Sequence, residues 1–552
     1  MADIAEISSR YVDEFSQLDP VRAVRLMGVV GSPASLTDYS PDGVSAMADL
    51  LARTSRQLRA ASPTSEPERL GRLFLLGEVE AELALLDGGE RERQVGILAE
   101  PPAAIRLSFD LIPRQTPDDW ANVASRLRAV EIALDGYRET LRRGMATGLT
   151  ASRLCSEALA DQCAAFADGW FASYVASYGE GPLRAALDEA ARSAGAAYET
   201  MAGWMRSDYL PVATEALGVG SERYRLWQQS MLGDELDLDE TYSWGWEELA
   251  RLEREQADEC DRVIPGGSFA EVRDFLNRDP TRSIEGVDAY RAWLQEVTDD
   301  AIARLDGWQF DIPDTLKRCE IGIPPEGSAA APYYTPPSED LSTPGRTWFP
   351  TQGRTVFPTW DQVTTAYHEA VPGHHLQFGL TRLLPLTRAH KLGFQSAHGE
   401  GWALYAERLA DEVGLFATPD TRLGFLSMQA FRAARVVIDI GLHTGRSLPD
   451  GGPWTARDVV DRLERLGIPT ALAKSELVRY VSWPAQATCY KLGERAWLAG
   501  RASARSQQGS SFDLRRWHGA ALSLGALGLR DLEHELILAG RPEHGSRLDR
   551  DN

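Results

Sequence analysis

From the N-terminus to about Gln309, apolar residues return every three or four positions among Ala, Leu, Arg and Glu, the spacing of one buried face of an α-helix. Leu73–Leu86 and Trp120–Leu141 are two such stretches and predict helices. Thr116-Pro117-Asp118-Asp119 offers an N-cap with proline at the first helical position, and Asp87-Gly88-Gly89 offers a stop. Between Asp311 and Pro358 this period breaks, and prolines alternate with Tyr333, Tyr334, Trp348, Phe349 and Phe357. Linkers are poor in aromatics, so this segment predicts ordered, short extended pieces such as Arg346-Thr347-Trp348-Phe349, confined by proline to the edge of a small sheet. After Thr359 the helical period resumes and runs almost to Gly540. The expected organisation is a mostly helical part over 1–310, a Pro/aromatic segment over 311–358, and a second helical part over 359–552.

Charge narrows the partners. The chain has 58 Lys+Arg against 81 Asp+Glu, a formal net charge of -23, which argues against nucleic acid or an anionic membrane. No apolar run approaches the ~20 residues that cross a bilayer. Met1-Ala2-Asp3-Ile4-Ala5-Glu6 carries acid where a secretory signal carries base, and the five widely spaced cysteines form no C-x-x-C pair. The expectation is a reduced, cytoplasmic protein without a disulfide framework.

Histidine placement is the informative number. Of nine histidines in 552 residues, five fall between His368 and His398, in Tyr367-His368-Glu369-Ala370-Val371-Pro372-Gly373-His374-His375 and His398-Gly399-Glu400-Gly401-Trp402-Ala403-Leu404-Tyr405-Ala406-Glu407. Zinc proteases use H-E-x-x-H because His at i and i+4 share a helix face, with the Glu placed as general base. Here Pro372 stands where the second His belongs. At about 100° per residue, His374 points about 120° away from His368, so the two share a metal only if Pro372-Gly373 bulges the helix. His375 regains the face but lies about 10.5 Å along the axis. His374 is therefore favoured as ligand, with His375 as the alternative, either ligating or touching substrate. Glu400 is the candidate third ligand: with Leu404 and Glu407 it follows i, i+4, i+7, and two acids on one face of an apolar helix need a compensating cation. Glu407 is placed to hold a ligand histidine from behind.

These words resemble the signature of a bacterial family of unknown function classed with predicted zinc-dependent peptidases. H-E-x-x-x-G-H is similar to an expanded form of the words of gluzincins, in which the closing His ligates zinc, and this implies His374 here. Further matching words are Tyr242-x-Trp244-Gly245, Tyr333-Tyr334-x-Pro336-Pro337, Arg435-Val436-Val437-x-Asp439-x-Gly441-Leu442-His443 and Pro484-x-Gln486-Ala487-x-x-Tyr490-Lys491-x-Gly493. The resemblance covers most of the chain and implies one mainly α, zincin-like, two-lobed unit with a small β-sheet next to the metal-binding helix.

Arg432, Arg435, Asp439 and His443 form one polar stripe on an otherwise apolar helix. Such a stripe either lines a cleft, with Arg435 paired to Asp439 and Arg432 or His443 left for substrate, or closes on itself as an ion-pair network. Tyr480 and Tyr490 are candidate oxyanion donors, Tyr490 favoured by the resemblance, with Arg479 or Lys491 as anchor for a substrate carboxylate. His534-Glu535 has no second His nearby and reads as a solvated helix face, and His390, His518 and His544 lack partners at ligand spacing. Gly-rich phosphate loops and nucleophile elbows are absent from the sequence. The expected function is a hydrolase of peptide bonds in short peptides, with Zn2+ on His368, His374 and Glu400, and Glu369 and Tyr490 catalytic. The alternatives are a metal-dependent hydrolase or lyase of an amino-acid-like metabolite, and a non-catalytic protein with a structural metal.

Overall fold

The computed structural model describes residues 3–29, 32–324, 331–338 and 343–541, and is mainly helical with two small sheets. His544 lies outside the described residues. Leu73–Leu86 falls within the helix Glu66–Asp87, and Trp120–Leu141 within Pro117–Thr147. The latter opens on a capping box, in which Asp119 N–H donates to Thr116 Oγ1 and Thr116 N–H to Asp119 Oδ2. The main apolar core runs without interruption from Ile4 to Ala539.

The Pro/aromatic segment supplies four of five short strands. β1 (Ser283–Glu285) pairs antiparallel with β5 (Val356–Pro358), while β2 (Glu320–Gly322), β3 (Tyr333–Thr335) and β4 (Arg346–Trp348) form a second sheet in the order β2-β4-β3. The sequence anticipates one sheet; the chain builds two because β5 pairs with a strand from the helical part. β3, flanked by Pro332 and Pro336, takes an edge, where a missing N–H costs no ladder bond. Phe349 and Phe357 join Tyr290, Leu294, Ile321 and Ala366 in a satellite core, with the Tyr290 and Phe357 rings stacked 4.0 Å apart. Ala366 belongs to the helix that carries His368, so these aromatics fix that helix against the strands.

Two helix pairs frame the centre. Leu238–Val263 lies along Pro419–Thr444, and Ser396–Glu412 lies along Cys489–Gln508. The second pair meets backbone to backbone at Gly401 and Gly493, where a Cβ on Gly493 would stand 2.0 Å from the Ala397 carbonyl oxygen. No helix among the described residues is long and apolar enough to cross a membrane. All five cysteines are free and buried.

Candidate metal centre

The H-E word lies on two helices instead of one bulged helix. Gln362–Glu369 ends immediately after His368-Glu369, and His374–Leu383 begins the next helix. Between them Ala370 leaves helical geometry and the Val371-Pro372 bond is cis. Gly373 is required at the turn, since a Cβ there would stand 1.8 Å from the His368 carbonyl oxygen. Trp402 ties the turn to the Glu400 helix, its indole N–H donating to the carbonyls of Pro372 (2.9 Å) and Gly373 (3.2 Å). The turn folds His374 back over His368, with ring centroids 4.8 Å apart.

Three side chains converge. Glu400 Oε2 lies 3.4 Å from His368 Nε2 and 3.7 Å from His374 Nε2, and all three donor atoms fall within 4.8 Å of one another. Ligand atoms held at about 2.0–2.1 Å on a tetrahedral zinc stand roughly 3.3–3.4 Å apart; two histidine nitrogens and a carboxylate are a donor set such an ion takes, and the two Glu400 separations, 3.4 and 3.7 Å, lie close to that spacing. Behind His368, Nδ1 meets Glu407 Oε1 at 2.7 Å, and Thr364 Oγ1 donates to Glu407 Oε2 at 2.6 Å. Glu407 is fully buried, and this contact fixes the ring so that Nε2 faces Glu400. Burial and Arg432 both oppose protonation of His368, yet hydrogen bonds to Glu400 and Glu407 carry it up to about 9. Burial likewise opposes ionisation of Glu400, but the two histidines hold its carboxyl well below the usual range. A cation bound at this cluster would compete with protonation of His368. Glu407→Gln is expected to weaken zinc binding by about 10–100-fold, measured by competition with a chromogenic chelator.

Glu369 lies beside the cluster on a cavity of about 470 Å³ and has no hydrogen-bond or ion-pair partner among the described residues. Six cationic side chains line this cavity, Arg25, Arg382, Lys391, Arg432, Arg435 and Arg479, against three carboxylates, Glu369, Glu400 and Glu476. Tyr490 lines it too, its ring centroid 6.4 Å from that of His368 and its hydroxyl accepting from Arg479 at 3.3 Å. Tyr480 does not reach the cavity: fully buried, its hydroxyl accepts from Arg435 Nε at 3.3 Å.

Several expected substrate contacts lie elsewhere. His375 turns away, with Nε2 on the Leu316 carbonyl at 2.9 Å and Nδ1 on the Tyr334 hydroxyl at 3.0 Å, and burial lowers it to about 4. Because the helix restarts at His374, its neighbour faces the strands. Lys491 is buried among Glu248, Gln429 and Glu494, where its charge is neutralised away from the cavity. The polar stripe splits: Arg432 and Arg435 line the cavity, whereas His443 donates to the Tyr480 carbonyl at 2.9 Å and stacks on Tyr224. Arg435 pairs with Glu476 at 2.8 Å and not with Asp439, which accepts from Tyr224 Oη at 2.6 Å and Ala485 N–H at 2.9 Å. Glu476 went unrecognised in the sequence because one of its partners, Arg435, comes from another helix. His534-Glu535 is half solvated only: Glu535 is buried and binds Arg69 at 2.8 Å.

Burial raises Asp439 to about 7 despite those two hydrogen bonds. Between the unfolded value near 4 and 7 the folded state binds the extra proton, so stability falls as pH rises through that window. Asp439→Asn is therefore expected to gain on the parent protein between pH 5 and pH 8 by on the order of 2 kcal/mol, read from urea unfolding at the two pH values.

Fold and site together define a mainly helical protein with a His2Glu cluster on a cationic cavity. The chain belongs to the family described as "Bacterial protein of unknown function (DUF885)", which matches residues 20–536. Its fold is shared by two solved chains, each described as a "putative lipoprotein". One, from Colwellia psychrerythraea, is 21% identical with a TM-score of 0.83, over 97% of this chain and 98% of that one. The other, from Shewanella oneidensis and of unknown function, is 15% identical with a TM-score of 0.76, over 97% and 100%. No curated protein matches the chain.

Proposed function

We propose that the protein is a zinc-dependent hydrolase of peptide bonds in short peptides. The observation that carries this reading is the pairing of a His368/His374/Glu400 cluster at zinc-ligand spacing with Glu369, an unpartnered carboxylate on the same cavity. Zinc held there would supply Lewis acidity, making water nucleophilic at neutral pH and polarising a carbonyl. Glu369, next in sequence to His368, takes a proton from the attacking water and delivers it to the departing amine nitrogen as the C–N bond breaks. The Tyr490 hydroxyl donates a hydrogen bond to the carbonyl oxygen on which negative charge develops, and Arg479, already donating to that hydroxyl, strengthens it as a donor. A structural site would have no use for a free base, which weighs against the non-catalytic alternative.

The cavity volume suits a peptide of a few residues and excludes a folded chain. A zincin-like, two-lobed architecture with the cavity between the lobes belongs to this reading. So does a cytoplasmic location, supported by five unbridged, buried cysteines; cell fractionation separates it from the envelope placement that the neighbours' description suggests. The test is digestion of a mixed peptide library by zinc-loaded protein with and without chelator. Chelator-sensitive cleavage supports the proposal. No cleavage by protein of full zinc content overturns it and favours the metabolite hydrolase or lyase, which the same cavity volume accommodates.

A further inference from the structure

The cavity's charge is opposite to that of the chain. In a protein of net charge -23, six cations and three carboxylates line one cavity, and three of those cations surround a single ring. The guanidinium carbons of Arg435, Arg432 and Arg479 lie 4.9, 5.6 and 5.9 Å from the Tyr490 centroid. Their counterions are too few. Glu476 serves both Arg435, at 2.8 Å, and Arg479, at 3.2 Å. Glu407, 3.4 Å from Arg432, is already engaged by His368 and Thr364. Arg432 is about nine-tenths buried, and its Nε and Nη1 make no hydrogen bond. Leaving buried guanidinium N–H groups unmet is costly, and a bound anion meets them.

The anion's place follows from the same distances. Arg432 Nη2 is 3.5 Å from His368 Nδ1, next to the His/Glu cluster, while the Arg435 guanidinium lies over the Tyr490 ring and Arg479 donates to the Tyr490 hydroxyl at 3.3 Å. The steps from the His368 ring to Tyr490, 6.4 Å, and from Tyr490 to Arg435 or Arg479, 4.9 and 5.9 Å, bound the separation. Extended peptide covers about 3.3–3.6 Å per residue, so no more than about three residues fit between a carbonyl at the cluster and an anion at the arginines.

We propose that Arg435 and Arg479, with Arg432 beside them, hold the free C-terminal carboxylate of the substrate, so that the enzyme removes one to three residues from the C-terminus of a short peptide. This rests on the peptidase reading and deepens it. Glu476 holds the two arginines side by side as a paired receptor, and their excess positive charge is spent on the terminal carboxylate and not on an acidic side chain.

The test measures binding as well as turnover. The full-length Glu369→Gln protein, which binds without cleaving, is titrated calorimetrically with acetylated apolar tetrapeptides as free acid, as C-terminal amide, and as amide with a Glu side chain at the last position. The free acid is expected to bind at least about tenfold more tightly than either amide. In a protein also carrying Arg479→Gln, with its fold checked by circular dichroism, that ratio falls below about threefold. Equal binding of acid and plain amide overturns the proposal, as does a Glu-bearing amide that binds like the acid. Wild-type protein that cleaves acid and amide alike removes the carboxylate anchor and leaves the peptidase standing; selective binding of the acid with no cleavage does the reverse.

Discussion

Glu369→Gln is expected to lower peptide hydrolysis by about 10²–10⁴-fold while zinc content stays that of the parent protein. Gln is nearly isosteric and keeps the hydrogen-bonding reach of Glu but cannot take a proton, so the change removes the base and little else. Metal content by atomic emission should be unaltered, because the proposed ligand atoms are on His368, His374 and Glu400 and not on Glu369. Surviving turnover in a protein that retains its zinc would show that another group moves the proton, and no other unpartnered carboxylate stands at the cluster among the described residues. Lost zinc would instead place Glu369 among the ligands. Rates and metal stoichiometry together keep these outcomes apart.

Gly493→Ala is expected to cost at least about 3 kcal/mol of stability and to impair the site as well. Its added methyl would stand 2.0 Å from the Ala397 carbonyl oxygen and 2.6 Å from Gly401 Cα. Both are backbone atoms, so no rotamer change relieves the clash and the two helices must separate. They are the helices of Glu400 and Tyr490, and the contact is one residue from Glu400 and three from Tyr490. Denaturant unfolding should show a lower midpoint, and metal affinity should fall in the fraction that remains folded. Gly493→Ala with parental stability would mean that the close approach is not a feature of the molecule. The reciprocal change, Gly401→Ala, meets Gly493 Cα at 2.4 Å and provides the control from the other helix.

Much of this site is legible in the chain because its parts are local. His368-Glu369 and His374 lie within seven residues of each other, and Glu400 and Glu407 share one helical face, so spacing alone proposes them as a group. The residues around the cavity are harder to find. Arg435 and Asp439 are one helical turn apart, which suggests a pair, but Tyr224 and Ala485 approach Asp439 from other elements and Glu476 approaches Arg435. His375 and Lys491 adjoin true cavity residues and yet face away, since adjacent positions on a helix point about 100° apart.

What the chain states on its own is local and periodic: helices with their caps, a proline-rich stretch stiffened by aromatics, and an H-E word broken by Pro372-Gly373. Its form at the break, two helices joined by a turn, depends on the Trp402 indole holding two carbonyls from a distance of about thirty residues. The same holds for the cationic character of the cavity, which opposes an overall charge of -23 and appears only when Arg432 and Arg435 from one helix and Arg479 from another gather around Tyr490. Periodicity reports which face of an element is buried; which partners meet on that face is set by packing between residues far apart in the chain, and there the electrostatics of the site are decided.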